Sequence, residues 1–226
     1  MVNANAIQLL LSALLLLTTF ILLIQRRIDS MIYTYAWQSA FLSLATLAAS
    51  FITPYQWDLF FSALLIFALK VIFIPWFLRY LSHRLSSKNP SDNATSLVAR
   101  PFLLSMIASA LVLFSYNLTH SLRTSTQLFS SNAIAIALSI ILLGMLLIIT
   151  HRKAVSHALG FMVIENGIFF AALILTRGMP MKIELGIAFD VLVAIILFGV
   201  FFFHLNTSID SLDVDSLNRL REGTEL

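Results

Sequence analysis

Hydrophobic residues along this chain fall in runs too long for an ordinary core helix, separated by short polar breaks. A helix that crosses a hydrocarbon layer of roughly 30 Å needs about 20 mostly apolar residues, because only a helix satisfies its own backbone groups there. Seven stretches meet or nearly meet this requirement, running approximately Ala4 to Ile24, Met31 to Ile52, Leu59 to Tyr80, Leu97 to Tyr116, Ser131 to Thr150, Ala154 to Leu175 and Ile183 to His204. The pattern predicts an all-α integral membrane protein with about seven transmembrane helices. The first run resembles a signal peptide in length, but it has no basic leading region and no clear small-residue cleavage site, and it ends against Arg26 and Arg27. We read it as a mature span.

The polar breaks carry the orientation, since Lys and Arg are retained on the cytoplasmic side. Arg26, Arg27, Arg79, Arg84, Lys88, Arg100, Arg152 and Lys153 fall at the first, third and fifth breaks, and the tail adds Arg219 and Arg221. The opposite side holds Arg123, Arg177 and Lys182. The asymmetry predicts an outer N-terminus and an inner C-terminus. Leu81 to Thr95 contains Ser-Ser-Lys-Asn-Pro-Ser-Asp-Asn and reads as a solvated connector. Thr53 to Asp58 is a turn whose Tyr55 and Trp57 anchor at headgroup depth.

Composition agrees with the pattern. Of 226 residues, 59% are hydrophobic and 11% charged, an apolar share that a water-soluble core cannot hide. A sequence pI of about 9.4 would suit a nucleic-acid binder, but the net charge is only +3 and the basic residues are scattered among loops. No nucleic-acid partner is expected. Cysteine is absent, which excludes disulfides, thiolate metal sites and cysteine-ligated iron–sulfur clusters within this chain. The histidines, His83, His120, His151, His157 and His204, sit at or near span ends without ligand spacing, and no phosphate-binding loop or nucleophile elbow is present. No cofactor is expected, and any redox chemistry belongs to partners.

Three ionisable residues break the apolar runs. A charged side chain at the centre of a spanning helix costs roughly 2.5–3.5 kcal/mol on insertion scales, so such residues usually face protein or water. Lys70 lies mid-run between Phe60 and Pro75, too deep to snorkel easily to a headgroup. Glu165 lies at the middle of the sixth span, and Asp190 roughly 10 Å inside the outer edge of the seventh at about 1.5 Å per residue. Glu184 is close enough to that edge to reach water. Each acid reads either as a structural hydrogen-bonding group or as part of a proton relay, and Lys70 either as a fixed counter-ion or as a relay member. Three unpaired charges would cost on the order of 9 kcal/mol, so convergence inside the bundle or at a subunit contact is the cheaper arrangement.

At the sixth and seventh spans the sequence resembles a known family. The residues are His151-Arg152-Lys153, Gly160, Glu165-Asn166-Gly167, Glu184-Leu185-Gly186-Ile187-Ala188-Phe189-Asp190 and the tail stretch Leu212-Asp213-Val214-Asp215-Ser216-Leu217, joined by Lys70-Val71 and Pro75 in the third span. With these the chain resembles component E of hydrogenase-4, a membrane subunit of complex I-related NiFe hydrogenases that include formate hydrogenlyase-type assemblies. The last three spans also resemble the small K-type subunit of complex I and the C subunit of cation/proton antiporters. In the K-type subunit two adjacent spans carry buried glutamates implicated in proton movement. Asp190 falls at the second of these positions, whereas Met162 falls at the first and Glu165 stands three residues further along, about 300° and 4.5 Å away on a helix.

The resemblance implies a four-helix membrane extension over residues 1–130, a three-helix K-like unit over 131–204 and a cytoplasmic tail over 205–226. It implies a non-catalytic subunit of the prokaryotic inner membrane, embedded in the lipid bilayer with other membrane subunits. Peripheral NiFe and iron–sulfur subunits would be reached through the complex. Glu165, Asp190, Lys70 and Glu184 are the proton-relay candidates. The residues leave two further readings open, a cation/proton antiporter subunit and a purely architectural subunit. The topology is directly testable: a reporter active only outside the cell should work when fused near Met1 or Arg123 and stay silent at Leu226. A signal at Leu226 would show that the helix count or the orientation is wrong.

Overall fold

The computed structural model describes residues 2–52, 57–86, 101–121, 128–151 and 154–176, all within one compact unit, Met1–Ile183. The described residues are helical apart from short connections. In chain order the helices are α1 (Val2–Ile24), α2 (Ile28–Ile52), α3 (Trp57–Ile66), a π-helical segment (Phe67–Phe73), α4 (Ile74–Ser86), α5 (Pro101–Ser121), α6 (Leu128–Thr150) and α7 (Ala154–Thr176). Five stretches are long and apolar enough to cross a membrane: Ile7–Ile24, Ala63–Tyr80, Pro101–His120, Asn132–Thr150 and Val155–Leu175. This makes the chain an all-α, multi-pass membrane protein. The expected seventh span, Ile183 to His204, and the tail lie outside the described residues.

Helix α2 is long enough to span at 25 residues but does not reach the apolarity of those five stretches, and its position explains the difference. It packs against α1, α3, the π segment, α4 and α7, so most of its surface meets protein rather than lipid. Thr34, Tyr35, Gln38, Ser39, Ser43 and Thr46 are all buried on it. Several of these side chains knit the bundle together. Gln38 Nε2 donates to Thr19 Oγ1 of α1 at 2.8 Å, and Ser43 Oγ donates to the Ala63 carbonyl of α3 at 2.9 Å. Elsewhere Ser and Thr hydroxyls return to carbonyls of their own helix, as Thr19 does to Leu15 and Ser139 to Ala135.

The third expected span is continuous from Trp57 to Ser86, but its middle is wound as a π-helix. Pro75 supplies a local cause. It has no N–H, and its ring crowds the carbonyl four residues earlier, so the turn that contains Lys70 and Val71 opens. Ile74 N–H instead reaches the Leu69 carbonyl, five residues back. Beyond it, α4 is tied to α2 by Arg79, whose Nη1 donates to the Tyr33 hydroxyl while its guanidinium lies 4.9 Å from the Tyr33 ring centroid. Trp37, Trp76 and Tyr80 are exposed nearby in sequence on the same two helices, suited to the amphipathic membrane boundary.

Helices α6 and α7 form the closest pair, and glycines let their backbones meet. A Cβ on Gly144 would lie 3.0 Å from the Ile164 nitrogen and 3.2 Å from the Gly160 carbonyl oxygen. One on Gly160 would lie 2.5 Å from Ile148 Cγ1 and 3.2 Å from the Gly144 carbonyl oxygen. Without a hydrophobic drive between helices in lipid, such close backbone packing is a main source of association. At one end, His151 joins the connection after α6 to the connection after α1: its Nε2 is 3.2 Å from the Gln25 carbonyl oxygen. Helix α5 packs on α6 and α1, leaving Phe102, Leu103, Met106, Leu113 and Phe114 exposed for lipid or another subunit.

The glycine contact yields a comparison. Gly144→Leu should destabilise the detergent-solubilised protein by about 1–3 kcal/mol through overpacking, lowering its thermal midpoint by several degrees. Ile149→Ala, on the exposed side of the same helix, should stay within about 0.5 kcal/mol. Equal effects of the two changes would show that the glycine interface does not hold the pair together.

Candidate functional site

Three helix midpoints converge on one cluster of polar side chains. Lys70 is the central residue of the π segment Phe67–Phe73, Glu165 is the central residue of α7, and Ser39 lies beside the centre of α2. All are removed from the surface, with Ser39 at 0%, Lys70 at 1%, Asn166 at 1% and Glu165 at 7% exposure. Lys70 Nζ stands 3.2 Å from Glu165 Oε1 and donates to Asn166 Oδ1 at 3.0 Å. Asn166 Nδ2 in turn donates to Ser39 Oγ at 3.4 Å. The amide orientation follows from the chemistry, since an ammonium can only donate and must face the carbonyl oxygen.

The pairing resolves an energetic problem posed by the sequence. An isolated lysine or glutamate at that depth would be costly to insert, whereas an ammonium and a carboxylate 3.2 Å apart present no net charge to the surrounding helices. The π turn helps set where Lys70 stands, because one extra residue per turn shifts the helix by about 100° relative to an unbroken α-helix. The cluster thereby links α2, α7 and the helix built from α3, the π segment and α4. Two ionisable groups this close are electrostatically coupled, so the charge on one bears on the other. A proton passed between them leaves the net charge unchanged, while one gained or lost by the pair leaves a net charge in an apolar interior.

The structure thus brings together two of the four residues singled out from sequence, Lys70 and Glu165. Asp190 and Glu184 lie outside the described residues. Two members of the cluster were not singled out as site residues by sequence reasoning. Asn166 stood out only as part of a family resemblance, although an amide directly after a buried acid was a usable signal. Ser39 had no signal of its own, being one of many hydroxyl residues on α2. Among the described residues there is no group of three or more His, Cys, Asp or Glu placed to hold a metal ion.

Taken together, these features define a multi-pass α-helical membrane protein whose bundle closes around a buried lysine–glutamate pair. Over 209 residues the chain is 30% identical to the uncharacterized protein Rv0085 of Mycobacterium tuberculosis (strain H37Rv), covering 92% of this chain and 93% of the relative, and it belongs to that protein's family. It is more distantly similar to hydrogenase-4 component E of Escherichia coli K12, with 24% identity over 155 residues, 69% of this chain and 70% of the relative. The component E of Shigella flexneri matches with the same identity and coverage. No family model matches the chain, and no solved structure matches it.

The pair predicts a double-variant experiment. Lys70→Met removes the cation that faces Glu165 and should lower stability by about 3 kcal/mol. Adding Glu165→Met should recover a large part of that loss, because the buried acid is then gone as well. Strictly additive losses measured by detergent-based unfolding would mean that the two side chains do not interact energetically.

Proposed function

We propose that this chain is a membrane-arm subunit of a complex I-related NiFe hydrogenase of the hydrogenase-4 or formate hydrogenlyase type. In this role it helps to carry proton translocation or to couple it to hydrogen chemistry performed by peripheral subunits. The observation that carries the reading is the Lys70–Glu165 pair at the centre of the bundle, in a chain related to hydrogenase-4 component E. A buried pair is suited to holding a proton because its charge balance depends on whether that proton is present, so its neighbours can respond to the change.

The fuller picture belongs to the same proposal. The chain has seven spans in a prokaryotic inner membrane, with the N-terminus outside and the C-terminus inside. Residues 131–204 act as a K-like unit on the extension 1–130. Asp190 and Glu184 continue the relay from the seventh span, and the tail 205–226 packs on partner subunits at the inner face. Other membrane subunits are the direct partners, and the NiFe and iron–sulfur subunits are reached through them. The chain itself performs no redox step. One observation favours the architectural alternative: Lys70 has both Glu165 and Asn166 as acceptors, the arrangement of a well-satisfied structural contact.

Glu165→Gln separates the two readings, because it keeps the size and much of the hydrogen bonding but cannot ionise. In sealed vesicles that carry the assembled complex, the variant should retain its full set of subunits. It should lose most of the proton uptake or membrane potential that accompanies hydrogen turnover, whether turnover slows or runs uncoupled. Wild-type coupling in a fully assembled variant would remove Glu165 from the relay.

A further inference from the structure

Two of the groups at Lys70 Nζ are of the kind that bind a hard cation. A carboxylate oxygen, Glu165 Oε1, lies 3.2 Å away, and an amide carbonyl oxygen, Asn166 Oδ1, lies 3.0 Å away with its orientation supported by Ser39. Carboxylate and carbonyl oxygens are the ligands that hard metal cations favour. The position between these oxygens is taken by an ammonium that the chain itself supplies, only 1% exposed and carried on a π turn. A sodium ion seeking the same oxygens would have to displace Lys70 or stand beside a like charge, and the ammonium has no lone pair with which to bind it.

We propose that Lys70 is a tethered cation that reserves the Glu165–Asn166 oxygen site against sodium and leaves the proton as the ion this site exchanges. Its role in ion selection during turnover rests on the relay reading above, whereas the blocked cation site does not. A proton can leave or join the pair without moving a side chain out of its pocket. A metal ion cannot enter while the lysine is in place. Removing the ammonium would expose the carboxylate and the amide oxygen to any small cation that reaches the bundle interior, with waters completing its shell. Lys70→Gln is the sharper change, since it nearly keeps the chain length and adds a third oxygen.

The test uses the purified chain, with sodium chloride compared against choline chloride at equal ionic strength. The wild-type thermal midpoint should be the same in both salts. Lys70→Ala and Lys70→Gln should each show a saturable rise of about 3 °C or more in sodium, because a ligand that binds only the folded state stabilises it. The rise should vanish when Glu165→Gln is added. A saturable sodium effect on the wild type would overturn the proposal, as would folded Lys70→Gln protein that is indifferent to sodium. If Lys70→Ala does not fold, Lys70→Gln decides the matter alone. In vesicles of the assembled complex, replacing sodium by choline should leave hydrogen-linked ion movement unchanged, and uptake of radioactive sodium during turnover would count against the proposal. Loss of the relay reading would appear in the Glu165→Gln coupling assay, while loss of the selectivity reading would appear in the salt-dependent midpoints.

Discussion

A hydrocarbon layer offers no partner to a polar group, so a polar side chain placed there is costly unless it finds one within the protein or at its water-filled surfaces. Much of the described architecture follows from that demand. Helix α2, the most polar of the long helices, occupies the middle of the bundle, where α1, α3, the π segment, α4 and α7 surround it. Its Gln38, Ser39 and Ser43 are each matched to a group on a neighbouring helix. Lys70 and Glu165 take the same principle to charged groups, meeting where neither could be hydrated by bulk water. Apolar side chains such as those on the free side of α5 need no such match, and they remain on the outside.

The length of the apolar runs made the helices legible, and the cost of burying charge made Lys70 and Glu165 legible as residues that must face inward. Six of the seven expected stretches coincide with described helices, allowing for shifts at their ends. The largest shift is at the end of the third stretch, expected to finish at Tyr80 and helical as far as Ser86. Periodicity could not show that residues 95 positions apart would become neighbours, because the choice of helix neighbours is made by packing. The π segment was also hidden. Proline five residues after a buried lysine was visible, but whether a helix kinks, breaks or widens there depends on what surrounds it.

The proximity of Lys70 and Glu165 carries two meanings that differ in what the pair does over time. As a fixed contact it offsets the cost of two buried charges and ties the chain's first half to its second. As a relay it must also change protonation and let its neighbours sense the change. The static arrangement supplies the first directly and makes the second chemically feasible. Under the proposed function, hydrogen-linked proton movement is the setting in which the second meaning would serve a purpose.

The glycine-lined contact between α6 and α7 adds a mechanical consequence. With the Gly144 and Gly160 backbones so near one another, these two helices have little freedom to slide, and they form a stiff hairpin that carries Glu165 and Asn166. Lys70 belongs to a different rod, one whose π turn is wider and less regular. The charge pair therefore joins a tightly packed hairpin to a helix interrupted by a π turn. A force reaching the hairpin from a neighbouring subunit would be delivered to the gap between lysine and glutamate rather than dissipated within the hairpin.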